Sequence, residues 1–298
     1  SAQRSGAPSI DSAQRSGARF IDSHCHLEPG DFRDAEGKDE RDAVMARAAA
    51  AGLEQLVVIG SGRGIAEVRN AVALAHEHGH LFAAVGVHPH DARSVMAPET
   101  LPPPESDAEL RGEELFAAVA EAARDPRVVA VGETGLDFHY HHSTPRQQRD
   151  LLRRFVRLSQ DVKKPLTLHI REAHDEVRQI LAEEGGAPAG GVIHCFTGDA
   201  AQAEAWLALG FYLSYSGIVT FKKATEIQDA CRRTPAGRLL LETDCPYLAP
   251  VPLRGRRNEP AYLVHTATFV ATLRGETLES LAAHSSAATR ALLRIPAP

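Results

Sequence analysis

The stretch FIDSHCHLEPGD, Phe20 to Asp31, sets two histidines around a cysteine at the end of a short apolar run. Taken alone, His24-Cys25-His26 serves equally as part of a structural cysteine–histidine zinc site or as the first corner of a catalytic metal centre. Its place in the chain separates the two readings, because the same design recurs. The runs FIDSHCH (20–26), QLVVIG (55–60), LFAAVGVHPH (81–90), VVAVGETGLD (128–137), PLTLHI (165–170), GVIHCF (191–196), FYLSYSG (211–217) and LLLETD (239–244) are each short, apolar and closed by polar or turn-forming residues. Amphipathic helical patterns lie between them. In GIAEVRNAVALAHEHG, Ile65, Val68, Val72 and Ala75 recur at helical spacing, with Gly79 as the expected C-terminal stop. STPRQQRDLLRRFVRLSQDV opens with a Ser/Thr cap and Pro145 in the first turn, then places Leu151, Leu152, Phe155 and Leu158 on one face. Eight strand–helix alternations predict parallel strands joined by crossover helices, an α/β chain closed into a (β/α)8 TIM barrel.

Composition agrees with that class. The 298 residues are 43% apolar and 24% charged, as in an ordinary globular protein long enough for one such barrel. A net charge of −6 excludes a general polyanion-binding surface, so any nucleic-acid contact must come from a local basic patch. No apolar run approaches the ~20 residues needed to span a bilayer, and the N-terminal residues carry no hydrophobic signal segment. Cys25, Cys195, Cys231 and Cys245 are scattered without C-x-x-C spacing and read as reduced thiols of a cytoplasmic protein. SAQRSGAPSID (1–11) and SAQRSGARFID (12–22) match at nine of eleven positions, so residues 1–19 are expected to be a flexible tail with a duplicated segment. Residues 20–298 are expected to form one barrel domain. APETLPPPESDAE (97–109) reads as a solvated loop within it.

The polar residues cluster at the C-terminal ends of the runs: His24 and His26, His88 and His90, Glu133 and Asp137, His169, His194, and Asp244. In a barrel those ends share one rim, where active sites form. One buried histidine is more often a hydrogen-bonded core residue than a ligand. Six candidate donors at matching strand ends, His24, His26, Glu133, His169, His194 and Asp244, point instead to divalent-cation binding. Strand alternation puts Asp22, His24 and His26 on one face and Cys25 on the other, and likewise turns Cys195 and Cys245 away from His194 and Asp244. A cysteine-based structural site is therefore disfavoured. Six protein ligands suit two ions sharing a carboxylate; two ions about 3.5–4 Å apart can generate a hydroxide nucleophile and clamp an in-line phosphoryl displacement.

The motifs DSHCHL, GVHPHDA, VGETGLDFH, PLTLHIREAHDE, HCFTG and LLLETDCPYLAPVPLRGRRNEPAYL, in that order, resemble the TatD family of metal-dependent deoxyribonucleases among the amidohydrolase-like barrels. The resemblance runs from Phe20 to about Leu293 and implies a metallo-dependent hydrolase barrel. It implies that His24, His26, Glu133 and Asp244 hold one ion, with Glu133 bridging to a second held by His169 and His194. It further implies that Asp244 accepts the proton of the attacking water and that Glu242 stands behind the ligands. Zinc, magnesium and manganese all suit such donors. The chain departs from its relatives at Leu152, Phe155 and Ala288, positions outside the donor set.

Local basic residues favour a phosphodiester substrate. Arg171 lies two residues past His169, and Arg254, Arg256 and Arg257 follow the eighth run. Phe196 and Tyr247 are candidate stacking residues for terminal bases, and His88 and His90 candidate contacts to phosphate or the leaving oxygen. His139-Tyr140-His141-His142 lies past a strand end in an expected loop and is left outside the site. The expected activity is metal-dependent hydrolysis of DNA from an end, on single-stranded or end-containing DNA, by a monomer or weak oligomer. The alternatives are a two-metal hydrolase of a small amide, lactone or aminoacyl ester, and an inactive barrel kept as an interaction protein.

Overall fold

The eight apolar runs do become eight strands, and their order in the sheet is their order in the chain. The computed structural model describes residues 17–62, 64–96 and 112–297. The duplicated N-terminal segment up to residue 16 and the proline-rich stretch at 97–109 lie outside the described residues. β1 (Phe20–Cys25), β2 (Leu53–Gly60), β3 (Leu81–Val85), β4 (Val128–Asp137), β5 (Leu166–Arg171), β6 (Gly191–Ile193), β7 (Tyr212–Tyr215) and β8 (Leu239–Leu241) pair in sequence, every pair parallel. Helices α1 (Arg41–Ala50), α2 (Ile65–Glu77), α3 (Gly112–Ala122), α4 (Pro145–Val162), α5 (His174–Glu183), α6 (Ala200–Ala208) and α7 (Thr225–Arg233) fill the crossovers, and α8 (Leu263–Arg274) and α9 (Leu278–Leu293) follow β8. This is the (β/α)8 arrangement.

Alternation along each strand divides the core in two. Ile21, Val57, Ile59, Phe82, Ala84, Val129, Val192 and Leu240 fill the barrel interior. Phe20, Leu56, Val58, Leu81, Ala83 and Val128 belong to the layer packed against the helices. Below the interior set lie Ala288, Leu292 and Leu293 of α9 and the following Ile295, which close the N-terminal end of the barrel. The C-terminal end is thus left as the mouth.

Sequence neighbours do not close the ring by a regular ladder between β8 and β1. Closure comes from backbone bonds Asp244 N–H to His24 O (2.9 Å) and His26 N–H to Cys245 O (2.8 Å). Asp22 adds two more, its Oδ1 accepting from Thr243 N–H (2.9 Å) and its Oδ2 from the Thr243 hydroxyl (2.5 Å). A register shift between Asp22 and Cys25 interrupts alternation in β1. Asp22 therefore turns toward the seam instead of sharing a face with His24, as alternation alone predicts. Ser23 bonds Ser214 and the Leu241 carbonyl.

Helix ends follow local chemistry in part. Thr144 and Gln147 form a reciprocal capping box behind Pro145, and Leu151, Leu152, Phe155 and Leu158 of α4 are buried as the periodicity predicts. α2 stops at His78 in extended backbone, so Gly79 is not the left-handed stop expected of it. Truncating the interior plug, Leu292→Ala, should cost roughly 2–5 kcal/mol of stability, as buried leucines do. Urea unfolding followed by circular dichroism measures it, and an unchanged midpoint would show that α9 does not support the barrel.

Candidate metal centre

Each donor owes its position to the end of a strand. His24 lies in β1 and His26 just past it; Glu133 is within β4 and His169 within β5. β6 and β8 are only three residues long, so His194 stands one residue beyond its ladder and Asp244 three beyond. Asp244 and Cys195 take left-handed backbone (φ 55° and 43°), which turns the chain out of the strand direction at the rim. Beside Glu133, Gly132 and Gly135 have φ of 143° and 148°, and a Cβ on them would meet Thr167 O at 2.3 Å and His169 O at 1.9 Å. Only glycine lets β4 lie this close to β5.

The two oxygens of Glu133 face different imidazole sets. Oε2 is 3.5 Å from His24 Nε2 and 4.0 Å from His26 Nε2. Oε1 is 2.9 Å from His194 Nε2, 3.2 Å from His169 Nδ1 and 3.4 Å from His88 Nε2. Asp244 Oδ1 completes the first set, 3.4 Å from His26 Nε2 and 3.6 Å from His24 Nε2. Donor atoms about 2.1 Å from a tetrahedral cation stand ~3.4 Å apart, and most of these separations match the edges of such a coordination polyhedron. They are mostly long for hydrogen bonds. His24 gives the second sign: both of its ring nitrogens are buried and neither has a hydrogen-bond partner among the described residues. A buried polar atom without a partner is costly, and a cation would satisfy Nε2. The residues fit a divalent cation on both sides of Glu133.

Residues behind the donors fix which nitrogen is available. His169 Nε2 lies 2.9 Å from Asp137 Oδ2, leaving Nδ1 to face Glu133. His194 Nδ1 lies 3.2 Å from Glu242 Oε1, leaving Nε2 free, and Glu242 is itself held by the Cys195 N–H at 2.6 Å. Such carboxylate–histidine pairs orient metal-binding imidazoles. Burial opposes ionisation of Glu133, but the charges of His194 and His88 and hydrogen bonds from His169 and His194 hold it well below the usual carboxylate range. Burial likewise opposes ionisation of Asp244, and His26, His194 and His24 keep it lowered. Asp137 is held by the end of α4: Gln148 accepts from its N–H (2.8 Å) and donates to its carbonyl (3.0 Å).

The structure sorts the remaining candidates. His88 and His90 belong to a third trio with His169 whose donor atoms lie within 4.8 Å of one another. Three of its ring nitrogens are already committed, however: His90 Nε2 and His169 Nε2 to Asp137 (2.9 Å each), and His88 Nδ1 as acceptor of the His90 N–H (3.1 Å). Tyr247 is 59% exposed beside His26, with ring centroids 6.0 Å apart. Arg171 reaches the rim over the Tyr140 ring. Phe196 is corrected: it is 2% exposed, packed on His174 and Tyr215, and has no face to offer a base. Arg254 lies over Phe221 and donates to Ala249 O, and Arg257 pairs with Glu40 and lies over Phe32. Those two guanidinium groups brace the loop after β8, which leaves Arg256, exposed, as the member of that run with no such tie among the described residues. Cys25 and Cys245 are buried, and no possible metal cluster among the described residues contains a cysteine. Sequence placed Asp137 at the end of its run without giving it a role and did not single out Gln148; the E-T-G-L-D spacing, two strand periods from Glu133 to Asp137, carried the signal for the first.

A parallel eight-stranded barrel with imidazoles and carboxylates converging at its C-terminal mouth is the architecture of a metal-dependent hydrolase. The family profile described as TatD related DNase matches residues 21–294, and the chain belongs to that family. It is 36% identical over 276 residues to the uncharacterized metal-dependent hydrolase YabD of Bacillus subtilis (strain 168), covering 92% of this chain and 99% of the relative. It is 36% identical over 265 residues to a protein named 3'-5' ssDNA/RNA exonuclease TatD from Klebsiella pneumoniae (strain 342), covering 86% and 92%. Among solved structures, the TatD homolog YJJV of Escherichia coli K12 superposes with a TM-score of 0.79 at 28% identity, covering 94% of this chain and all 100% of the other.

Burial opposes protonation of His194 and His26, but Glu133 and Glu242 raise the first well above, and Asp244 raises the second above, the usual imidazole range. A cation must displace those protons. Metal affinity should therefore fall as pH is lowered, with proton release on binding. Calorimetric titration in buffers of different ionisation enthalpy reads this directly; binding heats independent of buffer would contradict it.

Proposed function

We propose that this chain hydrolyses phosphodiester bonds of DNA from an end, with two divalent cations held across Glu133. The observation that carries the reading is the division of the Glu133 oxygens between two imidazole sets. His24, His26 and Asp244 would hold one cation, and His169 and His194 the other. Bound there, divalent cations supply positive charge for a developing phosphorane and make a water easier to deprotonate. Asp244, ionised and facing both histidines of the first set, accepts that proton. Glu133 keeps the two donor sets at fixed separation. His88 receives the His90 N–H on Nδ1, so its Nε2 carries the hydrogen and points into the site as a donor for a phosphoryl oxygen. Arg171 adds a guanidinium at the rim for phosphate.

Relatives named 3'-5' ssDNA/RNA exonuclease TatD support a nucleic-acid substrate, and the four free cysteines fit a reducing, cytoplasmic setting. The test is nucleotide release from end-labelled single- and double-stranded DNA and RNA, after chelation and after add-back of zinc, magnesium or manganese. Activity is expected to vanish on chelation and return with metal. Asp244→Asn should lower the rate roughly 10²–10⁴-fold, the range of a lost general base, with unchanged circular dichroism. Full activity in Asp244→Asn would remove that residue from the mechanism. Failure of every metal to restore release would overturn the nuclease reading.

A further inference from the structure

The sequence His139-Tyr140-His141-His142, set aside above as a loop, is tied to the metal centre by one carboxylate. Asp137 Oδ1 accepts the N–H groups of His139 (3.0 Å) and Tyr140 (2.9 Å). Its Oδ2 faces the Nε2 atoms of His169 (2.9 Å) and His90 (2.9 Å). The side chain that orients a metal donor thus also fixes where Tyr140 begins. From His169 the rings run outward in short steps: His169 to His88 at 4.5 Å, His88 to His90 at 4.3 Å, His90 to Tyr140 at 5.5 Å. His142 joins them, 4.7 Å from His90 and 5.9 Å from Tyr140 at a 30° interplanar angle.

This cluster buries little. Tyr140 is 44% exposed, and the histidines on either side of it are exposed too. Only Tyr140, Leu209, Tyr247 and Val251 are exposed large hydrophobic residues among those described, and both tyrosines stand at the metal rim. Arg171 Cζ lies 4.8 Å from the Tyr140 ring centroid, and among the described residues it has no carboxylate partner. That sets it apart from Arg41, Arg47, Arg149, Arg153 and Arg154, each paired with an acid. A fixed aromatic surface beside an unneutralised guanidinium is the combination that holds single-stranded nucleic acid: rings for bases, cation for backbone.

We propose that the exposed ring of Tyr140, with His142 near-parallel to it at 30° and His90 braced edge-on against it at 83°, forms a stacking platform for an unpaired base next to the scissile phosphate, with Arg171 on a flanking phosphate. This rests on the nuclease reading above and deepens it, because a base must leave a duplex stack to lie on the platform. The platform therefore selects single-stranded ends.

The test is the affinity of labelled single-stranded oligonucleotides, measured by fluorescence anisotropy with chelator present to block turnover. One probe carries all its bases; its partner lacks the bases of the terminal residues. Tyr140→Ala should weaken binding of the complete probe roughly 5- to 100-fold, the range for loss of one base stack. The same variant should bind the base-free probe as wild type does, and Tyr140→Phe, which keeps the ring, should restore most of the affinity. Arg171→Gln should flatten the salt dependence by about 0.7 in log–log slope on both probes, as for one phosphate contact on a single strand. Equal loss on both probes, or no loss in Tyr140→Ala, would overturn the platform. If wild type cleaves oligonucleotides but Tyr140→Ala binds both probes as wild type does, the platform alone falls. If wild type neither binds nor cleaves any of them, the nuclease reading falls and takes the platform with it.

Discussion

A buried carboxylate shared between two groups of imidazoles is the constraint around which this barrel is arranged. Glu133 sits inside the mouth with three histidines near one oxygen and two near the other. An ionised carboxylate there is tolerated only because positive or polar partners surround it on every side. The neighbouring strands accommodate this at the level of the backbone. Glycines at 132 and 135 bring β4 against β5 where any side chain would collide with Thr167 or His169. The donors of β6 and β8 lie past their ladders, so the chain can turn them inward without breaking a strand's pairing.

A second tier of carboxylates turns a ring of histidines into one with defined tautomers. Asp137 and Glu242 each hold the far nitrogen of a donor, and each is anchored in turn, Asp137 by Gln148 and Glu242 by the Cys195 N–H. Asp22 does comparable work for the barrel wall, joining β1 to the segment after β8 through Thr243. His24, His26 and Asp244 belong to the two segments joined at that seam. The geometry of the first donor set and the closure of the barrel are consequently one structural problem.

Much of this could be read from the chain before any coordinates. Strand runs, their order and the convergence of His24, His26, Glu133, His169, His194 and Asp244 at one rim were legible because alternation and the polar strand ends are local patterns. What was not legible depends on partners distant in sequence. Phe196 looks like a stacking residue in HCFTG, but its burial is decided by His174 and Tyr215. Arg254 and Arg257 look like a phosphate patch until Phe221 and Glu40 arrive from elsewhere in the fold. Alternation itself failed at Asp22, where a register shift in β1 redirects the side chain to the seam. His139 to His142 were passed over because a loop's position relative to the rim is set by Asp137, whose role appears only when His90 and His169 converge on it.

Ala288, Leu292, Leu293 and Ile295 make the barrel a cup with a sealed floor. Whatever enters or leaves, cation, water, substrate or product, must use the same opening. A ligand lying across that opening would therefore also cover whatever the buried imidazoles and carboxylates beneath it hold. Occupancy of the rim and access to the buried site would then be a single event in time, with exchange to solvent confined to the intervals when the mouth is clear.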